Sequence, residues 1–219
     1  MEVLLHMSIP IEAPKIPQQL EQLKEPLYSL QAKDEFSRVQ IQQLTIDRQE
    51  AQRVSFEKTI FEKVDIIESN LAEIELTDVI FDQCDLSNIP FPHSFVHRTE
   101  FRQCKLIGTD FAQSRLQNVR FIDCVADYSV FRFSNFKNVS FEHCSLIGAD
   151  YCSSTFKSVM FDHCQLDTAM MSGTSLQEVD LSTCDFTSLQ IEIEDLRGCI
   201  ISPYQASSFV GLMGLVIKS

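Results

Sequence analysis

Eight cysteines, five histidines and 31 acidic residues are the side chains of this 219-residue sequence best equipped for chemistry. His143-Cys144 and His163-Cys164 each set a nitrogen donor beside a sulfur donor, twenty residues apart. Those are the donor types that hold zinc. Cys84, Cys104, Cys124, Cys144, Cys164 and Cys184 follow one another at strict twenty-residue intervals, with Cys152 and Cys199 outside the series. No nucleophile-elbow pattern places a Ser, His and Asp together, and no glycine-rich phosphate loop occurs. With only six glycines, a glycine-rich calcium-binding repeat is also a poor fit.

What those residues can do depends on the elements that carry them. From Phe56 to Leu196 every fifth residue is large and apolar, with Ala126 as the one undersized member. Two residues before each stands a small or β-branched residue, such as Val79, Cys84, Ser114, Ala149 or Thr174. A helix repeats at 3.6 residues and a half-buried strand at 2, so neither explains a period of five. Short extended segments separated by regular turns do. The cysteine series shows a second period of twenty, as do Val79, Val119, Val139, Val159 and Val179, and Phe81, Phe101, Phe121, Phe141 and Phe161. Twenty residues are four pentapeptides, so each circuit has four sides and residues twenty apart stack. This is a solenoid in which each coil touches only its neighbours.

The frame decides the cysteine question. Each column cysteine points inward and the histidine before it outward, so His143-Cys144 and His163-Cys164 cannot share a metal. Buried cysteine acts as a small hydrophobe in the narrow interior. Stacked coils about 4.8 Å apart do not forbid disulfides by Cα distance alone, but a cytosolic setting and burial favour free thiols. No metal and no cofactor are expected. Ala126 either leaves a small void or is offset by Phe121 and Phe131 beside it.

The pattern small–polar–Leu/Phe–polar–polar holds for 29 consecutive units over roughly two-thirds of the chain. It resembles the pentapeptide-repeat family. The resemblance implies an all-β fold: a right-handed quadrilateral parallel β-helix of about seven to eight coils, with an irregular N-terminal cap and a short C-terminal helix. The expected organisation is an N-terminal cap and degenerate first coil over 1–53, the β-helix over 54–198, and a helical cap or dimerisation segment over 199–219.

Residues 1–53 are less regular. Val3–Leu5, Ile9 and Ile11 are short apolar pieces, and Pro10, Pro14, Pro17 and Pro26 rule out one long helix. Pro17–Glu25 is expected to form a short helix with Leu20 and Leu23 on one face. The frame can be traced back through Phe36, Ile41, Ile46 and Ala51. A cap is required because an open β-helix end exposes unpaired backbone and apolar interior. Pro90 and Pro92 fall at outward positions that tolerate a missing N–H. At the other end Phe209, Leu212, Met213 and Val216 share one helical face, with Gly211 and Gly214 keeping the helix short and Leu215–Ile217 extended after it. That face either caps the last coil or pairs with a second copy. No secretory leader pattern and no membrane-length apolar run is present, so a cytoplasmic, non-membrane, non-enzymatic protein is expected.

The surface then offers shape and charge. Between Val54 and Gly198 lie 23 acidic and 11 basic residues, a net of −12. About seven coils at about 4.8 Å make a rod of roughly 34 Å, or one net charge per about 2.8 Å, against about 1.7 Å for duplex DNA. Glu62, Asp82, Glu142 and Asp162 share one column, interrupted by Arg102 and Ile122; Asp110 and Asp150 share another. Asp195-Leu196-Arg197-Gly198, then Tyr204-Gln205-Ala206-Ser207 and an apolar end with Leu212, Gly214 and Leu215, resemble the C-terminus of the Qnr-type quinolone-resistance proteins. That resemblance implies a homodimer joined through the C-terminal segment. It also implies a DNA mimic that binds DNA gyrase or topoisomerase IV, without binding nucleic acid directly, and protects the enzyme from fluoroquinolones. Glu62, Asp82, Asp110, Glu142, Asp150 and Asp162 would be its electrostatic contacts. The chain departs from that group in its long N-terminal extension and in lacking coil-interrupting loops. The alternative is a structural or scaffolding protein that binds another protein.

Overall fold

The structure, a computed structural model, describes residues 10–23 and 30–216. The apolar pieces at Val3–Leu5 and Ile9, Pro26 and Ile217 lie outside them. The strands in chain order are β1 (Glu21–Leu23), β2 (Glu35–Ser37), β3 (Val39–Gln42), β4 (Thr45–Asp47), β5 (Ser55–Glu62) and β6 (Asp65–Ile67), followed by β7 (Glu75–Asp82), β8 (Phe95–Arg102), β9 (Arg115–Ile122), β10 (Asn135–Glu142) and β11 (Thr155–Asp162). All pairings are parallel. The main sheet runs β1-β3-β5-β7-β8-β9-β10-β11, with β2 also on β5, and β4 pairs with β6.

From β5 to β11 every partner is twenty residues away, for example Phe61↔Phe81 and Glu142↔Asp162. The chain is a four-sided parallel solenoid of about seven turns. Two sides of a coil form one eight-residue strand. The other two are held by single bridges, such as Asp110↔Val130 and Lys105↔Val125.

The five-residue period has a backbone cause. Strict alternation would put residues i, i+2 and i+4 on one face. Within β7, Asp78 is left-handed at φ 57°, and this resets the alternation so that Leu76 and Phe81 both point inward. The same conformation recurs at nearly every fifth residue, borne by Lys63, Gln83, Arg98, Asn118 and His143 among others. Non-glycine residues are strained there. Each corner is secured by donating its N–H to the next coil, as Lys63 does to the Asp82 carbonyl at 2.9 Å and His143 to Asp162 at 2.8 Å.

Inside, identical side chains nest. The rings of Phe61, Phe81, Phe101, Phe121, Phe141 and Phe161 stack with centroids 4.5–5.1 Å apart and planes within 8° of parallel. A second ladder, Phe91, Phe111, Phe131 and Tyr151, meets the first edge-on, as at Phe121–Phe131, 6.1 Å, beside the fully buried Ala126. The small positions couple coils: the Cys124 Sγ donates to the Phe101 carbonyl at 3.3 Å, and Ser134 Oγ to that of Phe111 at 2.8 Å. Pro90 and Pro92 use their carbonyls instead, accepting from the amides of Leu71 and Glu73.

Both ends differ in detail from expectation. Glu21–Leu23 is a strand, not part of a helix; Lys24 and Glu25 lie outside the described residues. The free edge of β3 takes this segment up instead, Glu21↔Val39 to Leu23↔Ile41. The coil of β2–β4 already keeps the frame, with Ile41, Ile46 and Ala51 buried.

At the C-terminus a 3-10 turn, Ile193–Leu196, precedes α1 (Ala206–Val210), which has only five residues and passes into a second 3-10 turn, Gly211–Met213. Gly214, left-handed at φ 70°, ends it, so Val216 does not continue the face that Phe209 begins. Phe209 is buried against Phe186, ring centroids 5.7 Å apart. Gln205 closes the last coil: its Nε2 donates to the carbonyls of Leu181 and Cys184, both at 2.7 Å. Among the described residues no helix is long and apolar enough to cross a membrane.

Candidate interaction surface

The first acid column is a register fact: Glu62↔Asp82, Asp82↔Arg102, Arg102↔Ile122, Ile122↔Glu142 and Glu142↔Asp162 are backbone partners. Asp110 and Asp150 flank Val130 in the same way on another side. The six expected contacts divide by environment. Glu62, Asp82 and Asp110 make no ion pair among the described residues. The Glu62 carboxylate accepts from Gln42 Nε2 at 2.7 Å and Asp110 from the Ala112 amide at 2.7 Å. Asp162 lies 2.8 Å from His163 Nδ1.

Glu142 and Asp150 are held by arginines. Arg120 grips Glu142 in a fork at 3.0 and 2.7 Å, and Ser140 Oγ adds a bond at 2.7 Å. Burial pushes the Glu142 carboxyl up, but the Arg120 and Ser140 hydrogen bonds outweigh it and leave it below the ordinary carboxylate range. Asp150 is only 2% exposed. Arg132 lies across it, and the Cys152 amide donates to its other oxygen at 2.9 Å. Burial again opposes ionisation, and the Arg132 and Cys152 hydrogen bonds overcome it. These two acids therefore present a neutralised surface.

Other pairs were missed in the sequence although the period of twenty marks them. Asp78 meets Arg98 through two bonds of 2.6 and 2.9 Å, Glu73 meets Arg53 at 2.7 Å, and Asp85 meets Lys105 at 3.5 Å. Opposite charges twenty apart sit on adjacent coils. Glu100, also buried, is gripped by Arg102 and lies 3.8 Å from Arg120. Asp65, Glu68 and Asp85 line a groove of about 470 Å³ with Ile66, Ile67, Ser87 and Asn88.

The cysteine column is interior and its histidines are exterior. Cys144 and Cys164 are buried, while the exposed rings of His143 and His163 lie 5.2 Å apart. Hydrogen bonds from neighbouring thiols, together with burial, push Cys84, Cys124, Cys164 and Cys184 up. All eight cysteines are free thiols. Among the described residues no three His, Cys, Asp or Glu side chains come together as a metal site.

The C-terminal end is apolar. Ile193, Leu196, Cys199, Ile201, Phe209, Leu212 and Met213 line a cleft of about 180 Å³. Met213 and Val216 are 58% and 93% exposed, whereas Phe209 is spent on the chain's own cap.

The family model for the pentapeptide repeat region matches residues 54–131 and 94–171, more than half of the chain. This chain is a pentapeptide-repeat protein. Its coils are therefore those of a right-handed quadrilateral β-helix. HetL, a pentapeptide-repeat protein involved in heterocyst differentiation regulation in the cyanobacterium Nostoc sp. strain PCC 7120, is 13% identical. The match covers 78% of this chain and 90% of HetL, with a TM-score of 0.51. A trypsin-treated QnrB1, a plasmid-mediated fluoroquinolone resistance protein, is 20% identical; the match covers 92% of this chain and all of QnrB1, with a TM-score of 0.49. Such identities speak to the fold alone. No curated protein matches the chain in sequence. Pentapeptide-repeat solenoids are generally structural or protective rather than enzymatic.

Proposed function

We propose that this pentapeptide-repeat protein is a DNA mimic that binds DNA gyrase or topoisomerase IV in the cytoplasm and protects it from fluoroquinolones. The carrying observation is the stacking in register of two carboxylates that make no ion pair among the described residues, Glu62 on Asp82. Coils repeat at about 4.8 Å, so this pair sets like charge one short coil spacing apart along a rod, as a phosphate backbone does at its own interval. The C-terminal sequence resembling the Qnr-type proteins points the same way. In this reading Glu62, Asp82, Asp110 and Asp162 carry the contact, while Glu142 and Asp150 are tempered by their arginines. A second copy docking on exposed Leu212, Met213 and Val216 would lengthen the rod.

The second reading is a scaffolding protein that binds another protein through the C-terminal face. The exposure of Met213, Leu215 and Val216 favours it. Salt separates the two. Labelled protein should bind gyrase, be displaced by duplex DNA, and weaken steeply as ionic strength rises, because screening acts on exposed charges. Binding that ignores both salt and DNA supports the scaffold.

A further inference from the structure

The four sides of the rod differ in charge. Between Val54 and Gly198 the side built on Leu86, Leu106, Ala126, Leu146 and Leu166 carries a net charge of −5. Its two neighbours carry −4 and −3, and the opposite side, built on Leu76, Val96, Leu116, Phe136 and Phe156, is neutral overall. From the coil of Phe95 to that of Lys157 this opposite side holds Arg98, Arg115, Lys137 and Lys157 and no acid. The rod is therefore polarised across its axis as well as acidic along it.

The Leu86 side also holds most of the exposed apolar surface of the coils. Ile67, Ile107, Val125 and Tyr128 lie on it, four of the seven large apolar residues exposed between Val54 and Gly198. The groove lined by Asp65, Ile67 and Asn88 opens on the same side. Up one of its columns Ile107, Asp127, Ile147 and Asp167 alternate apolar and acidic. Asp127 Oδ1 accepts from Ser145 Oγ at 2.5 Å and from the Ile147 amide at 3.0 Å. Asp167 Oδ1 accepts from Thr187 Oγ1 at 2.6 Å and from the amides of Thr187 and Ser188 at 3.0 and 3.1 Å. Both carboxylates are thus fixed in place. Among the described residues neither has a cation partner and neither uses Oδ2.

Tyr128 is 64% exposed and left-handed at φ 57°. On this side the same corner is otherwise Arg48, Glu68, Asn88, Thr168 or glycine. A bulky side chain is strained in that conformation, so the ring is held outward at a backbone cost that smaller or polar neighbours escape. Interfaces set aromatic anchors within a polar rim.

We propose that the Leu86 side is the docking side of the rod and fits a cationic protein surface with an apolar pocket for Ile107 and Tyr128. For the identity of that partner the inference rests on the topoisomerase reading. Asp127 and Asp167 meet the partner's cations. Glu62, Asp82, Asp110 and Asp162 lie on the two bordering sides and form the rim. The difference in charge between opposite sides orients the approach, with the Leu116 side turned away.

Binding of the purified full chain to gyrase and to topoisomerase IV tests it. Ile107→Ser with Tyr128→Asn brings in residue types that the same columns already carry at Ser87 and Asn88, so the melting temperature should stay that of the wild type. This double variant should bind about 30-fold more weakly, the loss expected of a hot spot. Arg115→Gln with Lys137→Gln, on the Leu116 side, should bind as the wild type does. A photo-cross-linking residue in place of Ile107 should trap the enzyme, and one in place of Lys137 should not. That readout holds even if the double variant fails to fold. If the wild type binds neither enzyme, the topoisomerase reading and this inference fall together. If it binds and the folded double variant binds equally, or if only the Lys137 position cross-links, this inference alone falls. A double variant that sediments as a smaller species with enzyme binding intact would assign the side to a second copy of the chain and overturn the inference as well.

Discussion

Arg132 lies across the carboxylate of Asp150, its Nε 2.8 Å from Oδ2, and Asp150 is almost completely removed from solvent. An acid that the sequence places on an open face is thus a neutralised joint between two coils. Arg132→Ala leaves that carboxylate buried with one partner fewer, a loss expected to cost about 1–3 kcal/mol. Asp150→Asn keeps the acceptor for the Cys152 amide and should cost less. Urea unfolding of the two variants measures the difference.

The same joints give a pH dependence. Burial opposes ionisation of Asp78, Glu142 and Asp150, but the hydrogen bonds from Arg98, Arg120 and Arg132 prevail and hold all three below their ordinary values. A depressed folded-state pKa contributes stability above the unfolded value, about 4 for these carboxyls, which is lost as pH falls through the folded value. The melting temperature should therefore drop between pH 5 and pH 3. In Arg132→Ala the largest influence lowering Asp150 is gone and only the Cys152 hydrogen bonds remain, so the gap between variant and wild type should narrow as the pH falls.

Gly148 and Tyr128 form another inter-coil contact. Gly148 is left-handed at φ 64°, and a Cβ there would meet the Tyr128 ring at 2.8 Å. Gly148→Ala combines backbone strain with that overlap and should destabilise by about 1–3 kcal/mol. Adding Tyr128→Ala removes the overlap and leaves the strain, so the double variant should recover part of the loss. A thermal-melt double-mutant cycle reads the coupling.

The solenoid was legible because two periods, five and twenty, act on the same side chains. They place the Phe61–Phe161 ladder in the core, put Cys144 inside and His143 outside, and fix the strand register. They did not reveal the left-handed corners, since Lys63 and Arg98 are not residues that advertise positive φ. Nor did they give Arg120–Glu142 and Arg132–Asp150, whose offsets of 22 and 18 depart from the repeat. The N-terminal segment was misread over Glu21–Leu23 because its partner, the β3 edge, is a tertiary feature that local propensity does not contain. The C-terminal face was legible as apolar and its helix as short, from Gly211 and Gly214, but the turn at Gly214 takes Val216 off the face that Phe209 begins.

Reversing the unpaired carboxylates separates mimicry from solubility. Lysines at Glu62, Asp82, Asp110 and Asp162 together should abolish binding to gyrase while the far-UV spectrum stays that of the wild type. Among the described residues none of the four has a cation partner except Asp162, beside His163. Lysines at the arginine-held Glu142 and Asp150 should instead show first as lost stability.

The most direct measurement is gyrase supercoiling in the presence of a fluoroquinolone, with purified wild-type protein added. Restored supercoiling, absent with the four-lysine variant, is the expected result. No effect at micromolar protein, or equal rescue by the variant, would contradict the DNA-mimic reading.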